Sequence, residues 1–133
     1  MALSSEPKRH LRVLVVDDEP TMLSFMEGVL KSIGIVSITT AIDGQKALDV
    51  LASESEPFDL VISDWQMPNM DGLTLLEKFR ELHPGTPFVM LTAKNDVAAF
   101  GAAKRSGATY FFMKPMEAAD LAARLSSLIL LME

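Results

Sequence analysis

Several short apolar runs of the chain are followed by a residue able to handle charge on oxygen. Asp17 and Asp18 follow Val13 to Val16, Asp64 follows Leu60 to Ile62, Thr92 follows Phe88 to Leu91, and Lys114-Pro115 follows Tyr110 to Met113. If these segments converge, three carboxylates repel one another and need a cation, and hard oxygen donors with room for water suit Mg²⁺. Once the charge is offset, one of the carboxylates can attack phosphorus, and the Thr92 hydroxyl and Lys114 ammonium can bind the oxygens of the transferred group. Each residue also has an ordinary use. Paired acids after a strand cap helices, a threonine there is a cap, and a lysine before proline is a solvated turn residue. The chemistry therefore depends on joint placement.

The elements that must provide that placement are read from periodicity. The four runs above, with Val36 to Thr40, have the length of buried strands. Between them, Met22, Met26, Val29, Leu30 and Ile33 share one helical face that ends at Gly34. Asp43 caps a helix carrying Ala47, Leu48 and Leu51; Asp71-Gly72 opens another with Leu73, Leu76 and Phe79 along one side. A further helix covers 96–105, weakened by Gly101 at about 1 kcal/mol relative to alanine. The last helix carries a stripe of Leu121, Leu125, Leu128 and Met132, with Glu117 and Asp120 at its positive end. Alternating strands and helices predict an α/β fold: a doubly wound, five-stranded parallel sheet with helices on both faces. Ligands of such sheets bind at the carboxyl ends of the strands, where these polar residues lie.

Composition narrows the function. A length of 133 residues suits one domain. A net charge of −6 with no basic cluster argues against nucleic acid as a partner. The absence of cysteine removes disulfides, thiolate metal sites and thiol nucleophiles, and fits a reducing cytosol. No apolar run approaches the ~20 residues of a membrane span, and residues 1–10 are too polar for a secretory signal, so a cytoplasmic protein without membrane contact is expected.

The residues quoted carry a resemblance. Val13-Leu14-Val15-Val16-Asp17-Asp18, Ser63-Asp64-Trp65-Gln66-Met67-Pro68-Asn69-Met70-Asp71-Gly72, Leu91-Thr92-Ala93 and Lys114-Pro115 stand in the order and spacing of the receiver domains of bacterial two-component response regulators. The chain looks closest to single-domain chemotaxis regulators of the CheY type, and the likeness runs from about Arg12 to Leu131. It implies a flavodoxin-like strand order of 2-1-3-4-5, a receiver domain over 11–133 and an N-terminal extension over 1–10. It further implies that Asp64 accepts the phosphoryl group. Mg²⁺ would be held by Asp18, Asp64 and the backbone carbonyl of Gln66, with Asp17 assisting through water. Lys114 would pair with the phosphoryl group, Thr92 would bind one of its oxygens on activation, and the peptide before Pro115 would be cis.

The same resemblance implies a readout. Phe111 occupies the position of an aromatic switch that is more often tyrosine, and it lacks the hydroxyl. Tyr110, one residue away, should face the other side of the strand. Gln66 and Lys94 flank the site, where Lys94 could obstruct the attacking water or simply be solvated. The surface made by the 96–105 helix, the fifth strand and the last helix, with Phe111 and charges such as Lys104, would meet partners, whereas Val97 and Phe100 should pack on the sheet. Leu128 to Met132 is apolar all round, so part of it should be exposed, as the frayed end of a monomer, or covered by a weak dimer contact, a partner or the continuation of a longer protein.

The implied partners are a histidine kinase or a histidine phosphotransfer protein and an unidentified protein target. The domain would catalyse only its own phosphorylation and dephosphorylation, as an effector, a phosphorelay intermediate or a phosphate sink. A phosphatase of the haloacid-dehalogenase type would want a second Asp where Gln66 stands. A flavin module would want phosphate donors where Asp17-Asp18-Glu19 stand. A phosphate-independent interaction module would not need the complete acidic, Thr and Lys set.

Overall fold

The structure, a computed structural model, describes residues 11–53, 56–67, 70–92, 101–102, 104–105, 107–108, 110–114 and 116–132, with the Met132 side chain excepted. Lys94, Val97, Phe100 and Pro115 lie outside the described residues, as does most of the predicted 96–105 helix, of which 101–102 and 104–105 are helical.

The strands are β1 (Arg12–Val16), β2 (Ser37–Ala41), β3 (Leu60–Asp64), β4 (Phe88–Thr92) and β5 (Tyr110–Met113). All pair in parallel in the order β2-β1-β3-β4-β5. The predicted doubly wound architecture and its strand order are therefore observed. Two boundaries differ from expectation: Asp64 and Thr92 are the last residues of their strands instead of lying beyond them, and are held by the β3–β4 and β4–β5 pairing. Val36 lies outside β2 and is exposed, because the ladder to β1 begins at Ser37.

The alternation of β1 divides the core. Val13 and Val15 join a cluster with α1 (Pro20–Ser32) and the last helix, while Leu14 and Val16 join one with α2 (Gly44–Ser53) and α3 (Gly72–Leu82). Each helix starts where its residues allow. Pro20 opens α1, where its missing N–H costs nothing. Asp43 Oδ1 accepts from the Lys46 N–H (2.8 Å) and Asp71 Oδ1 from the Thr74 N–H (2.9 Å), the two predicted caps. Gly34, at φ 98°, ends α1 in the left-handed turn expected of it.

The buried faces are shifted slightly from those predicted. In α1, Leu23 is buried and Met22 only half-buried; in α3, Leu75 is buried and Leu73 half-buried. The last helix, α4 (Ala118–Met132), buries Leu121, Leu125, Leu128 and Ile129, and leaves Leu130 (56%) and Leu131 (76%) exposed, as the all-round apolar run predicts.

An unpredicted clasp joins α3 to the segment before β5. Arg80 donates through Nε (2.9 Å) and Nη2 (2.7 Å) to the Gly107 carbonyl, and through Nη1 to the His83 and Thr86 carbonyls. Gly107 has φ 101°, and a Cβ there would meet the Arg80 side chain.

Candidate functional site

The strand ends converge as the topology requires. The Asp17 N–H donates to the Ala41 carbonyl across β1 and β2, and Asp17 Oδ1 accepts from the Glu19 N–H (3.0 Å), fixing this carboxyl over the sheet edge. Asp64 ends the fully buried central strand β3. The loop after it is fastened twice: the Trp65 N–H donates to the Leu91 carbonyl, and the Gly72 N–H to the Trp65 carbonyl (2.7 Å).

Asp17, Asp18 and Asp64 each present a carboxylate oxygen within 4.8 Å of the others'. Asp17 (1% exposed) and Asp64 (7%) are buried, whereas Asp18 faces solvent. Lys114 closes the group: its Nζ lies 3.1 Å from Asp64 Oδ1 and 3.2 Å from Asp17 Oδ2, and its backbone N–H donates to the Thr92 carbonyl (2.8 Å). Thr92 is buried at the end of β4, and Gln66 sits exposed two residues beyond Asp64.

Electrostatics follow from one ammonium facing three carboxylates. Burial pushes the Asp64 carboxyl above its ordinary value of 3.8; Lys114 pulls it back, while Asp17 and, less, Asp18 push further. For Lys114, burial acts downward, but Asp64 and Asp17 outweigh it and hold the ammonium above its ordinary 10.5. The lysine is shared between Asp17 and Asp64, so it does not balance the negative charge. Such a carboxylate cluster can coordinate a divalent cation.

Some contributors carry no signal in the spacing of chemical groups. Ser63, fully buried, donates its hydroxyl to the Asp64 carbonyl (3.0 Å). A Cβ at Gly72 would come 2.4 Å from that same carbonyl oxygen, so glycine lets the start of α3 lie against the Asp64 backbone. Asp71-Gly72 reads from sequence as a helix start and as part of the quoted resemblance, with nothing to mark it as a seat for the Asp64 backbone. Phe111 packs toward the α2/α3 cluster while Phe112 enters the α1/α4 cluster, and Tyr110, on the same side as Phe112, lines the groove against α4. The predicted opposition of Phe111 and Tyr110 is thus observed. Lys94 and Pro115 lie outside the described residues.

The family model described as the response regulator receiver domain matches residues 13–126. The chain belongs to that family. Receiver domains act in their own phosphorylation and dephosphorylation and not on a separate substrate, and the Asp17, Asp18 and Asp64 cluster is this receiver domain's active site. A two-component response regulator of Oryza sativa subsp. japonica is 37% identical over 111 residues, covering 84% of this chain and 19% of that protein. A CheY-like receiver domain protein of Methanospirillum hungatei superposes with a TM-score of 0.83 at 28% identity, covering 92% and 95% of the two chains. A CheY in a CheX–CheY–BeF3–Mg complex from Borrelia burgdorferi gives 0.82 at 29% identity, covering 89% and 88%. The chain spans 18% to 49% of the length of the curated relatives first matched. Among the described residues of this receiver domain, no helix is long and apolar enough to cross a membrane.

Proposed function

We propose that this receiver domain is a Mg²⁺-dependent switch whose phosphoacceptor is Asp64. The observation that carries this reading is Lys114 Nζ within 3.2 Å of both Asp17 and Asp64 at the end of the central strand. The ammonium neutralises a carboxylate that must approach an anionic phosphoryl donor, and then pairs with the group transferred. An Asp64 oxygen attacks phosphorus, the bond from phosphorus to the donor's leaving group breaks, and the leaving group departs with its electron pair. Water later hydrolyses the acyl phosphate and regenerates the carboxylate.

The oxygen-only donor set fits Mg²⁺, with Asp18, Asp64 and the Gln66 carbonyl as ligands and Asp17 acting through water. The ion would supply charge neutralisation and orientation of phosphoryl oxygens. The Thr92 hydroxyl, buried beside the acceptor strand, binds a phosphoryl oxygen once the group is on, and Phe111 follows that movement toward the outer face of β5. Lys94 limits water access. The receiver unit extends over 11–133, with 1–10 as an extension. The phosphoryl donor is a histidine kinase or a histidine phosphotransfer protein, and the output is binding of a protein target by the segment 96–105, β5 and α4.

The test is intact mass after incubation with Mg²⁺ and acetyl phosphate. One phosphoryl adduct is expected in the wild type, dependent on the cation and absent in Asp64→Asn. No adduct, with Trp65 fluorescence unmoved by Mg²⁺, would leave a phosphate-independent interaction module as the better reading.

A further inference from the structure

The chain has nine methionines and no cysteine, so thioethers are its only soft nucleophilic sulfurs. Their surroundings differ. Met26, Met67 and Met90 are buried in the two cores. Met70 is half-buried, lies in the loop that leads from Asp64 to α3, and packs on Gly44 at the first turn of α2.

That contact is unusually close. A Cβ built on Gly44 would stand 2.8 Å from Met70 Sδ, 2.9 Å from Cγ and 3.0 Å from Cβ, so the whole Met70 side chain lies in the space a larger residue would fill. The loop has backbone fastenings at Trp65 and Gly72, at its two ends, and Asp71 is committed to capping α3. Met70 gives it a side-chain attachment to a different helix. A sulfoxide oxygen is polar, adds volume at the sulfur and wants water, which the packed face of Gly44 does not supply.

We propose that Met70 pins the acceptor loop to the start of α2, and that its thioether is a modification site for hydrogen peroxide whose oxidation releases the loop and slows phosphoryl acceptance. The sulfur lone pair attacks one peroxide oxygen and the O–O bond breaks. The sulfur is oxidised by two electrons to the sulfoxide, and the other oxygen, reduced, leaves as water after taking up the proton. Met70 is a positioning residue, since it touches no reacting atom. It acts through the loop that carries Gln66 and follows Asp64, where a displacement of part of an ångström is enough to matter.

The inference rests on Asp64 being the acceptor, and the experiment separates the two. Unoxidised protein must first form the adduct with acetyl phosphate and Mg²⁺; if it does not, the acceptor reading fails. The rate constant of adduct formation is then measured before and after peroxide treatment, with Met70 oxidation followed by peptide mass mapping. Oxidised wild type is expected to slow by about three- to tenfold, within what misplacing a catalytic group costs. Met70→Leu should keep its rate through the same treatment, although exposed Met113 and half-buried Met22 and Met116 oxidise in both proteins. Met70→Gln, which places a polar group at the contact, and Gly44→Ala, which displaces Met70 without oxidation, should both be slow untreated. A Met70 that resists peroxide, a fully oxidised wild type of unchanged rate, an equal slowing of Met70→Leu, or a Met70→Gln as fast as wild type would each overturn the proposal.

Discussion

The carboxyl end of β1, β3 and β4 and the outer margin formed by β5 and α4 are built on opposite terms. At the first, Asp17 and Asp64 are buried and held, Asp17 by Glu19 and Lys114, Asp64 by Lys114, its backbone by Ser63 and the seat at Gly72, and only Asp18 of the three acids faces solvent. At the second, apolar groups are left in water: Tyr110, Met113, Leu130 and Leu131 are exposed, and a cavity of about 340 Å³ opens among Tyr110, Phe112, Arg124 and Leu131. Burying charge costs free energy that chemistry can use, and exposing apolar surface costs free energy that association can recover. The domain therefore carries buried charge at its reactive end and exposed apolar surface at the β5–α4 margin.

Substitutions can break this contrast. The largest effect belongs to the shared support beneath both regions: Leu125→Ala, in the core under α4, should cost about 3 kcal/mol in urea unfolding. Lys114→Ala should leave the fold intact yet slow adduct formation by about 100-fold, since a buried positive partner aimed at transferred charge is worth that much. Next comes a gain. Asp64→Asn removes a carboxylate whose charged form is disfavoured by burial and further by Asp17 and Asp18, and should raise the unfolding midpoint of the metal-free protein near neutral pH. Leu131→Ser, at the exposed end of α4, should change stability by less than about 0.5 kcal/mol. A cost above 1 kcal/mol there would mean that the margin is covered in solution.

pH dependence sharpens the same comparison. The folded Asp64 pKa lies above 3.8, so in the window from 3.8 to the folded value the native state holds more protons than the unfolded one. Stability falls as pH rises through that window, and the deficit relative to Asp64→Asn then persists at neutral pH. Titrating both proteins by thermal unfolding should show the curves parting above about pH 4, and added Mg²⁺ should draw them together. The Lys114 contribution has the opposite placement: with a folded pKa above 10.5, it is complete below that pH and is lost only beyond it.

Much of this was legible in the sequence because strand ends are fixed by runs of apolar residues, and the chemistry sits within a residue of those ends. The third strand runs two residues further than its apolar run, to Asp64, and the fourth one further, to Thr92, since a polar residue can still complete a ladder that its neighbours define. The caps at Asp43 and Asp71 are local, so they were readable. The exchange of Met22 for Leu23 and of Leu73 for Leu75 reflects the rotation of a helix on its core, which spacing constrains only to within about a residue. What could not be read joins distant segments with no periodic signature: Met70 on Gly44, Gly72 under the Asp64 carbonyl, and the Arg80 clasp on Gly107.

That clasp and the position of β5 bear on how the molecule comes apart. β5 has four residues, stands at the edge of the sheet beside β4 and, among the described residues, is approached through the guanidinium of Arg80. A partial opening that peels β5 and α4 from the sheet would carry Lys114 away while Asp17, Asp18 and Asp64 stay assembled on β1 and β3. A divalent cation held by the remaining carboxylates would be bound in both forms and so would not hold that margin closed. Hydrogen exchange at β5 should then be indifferent to the ion that slows exchange around the acids. The domain would possess a cooperative unit that governs competence for phosphorylation independently of metal occupancy.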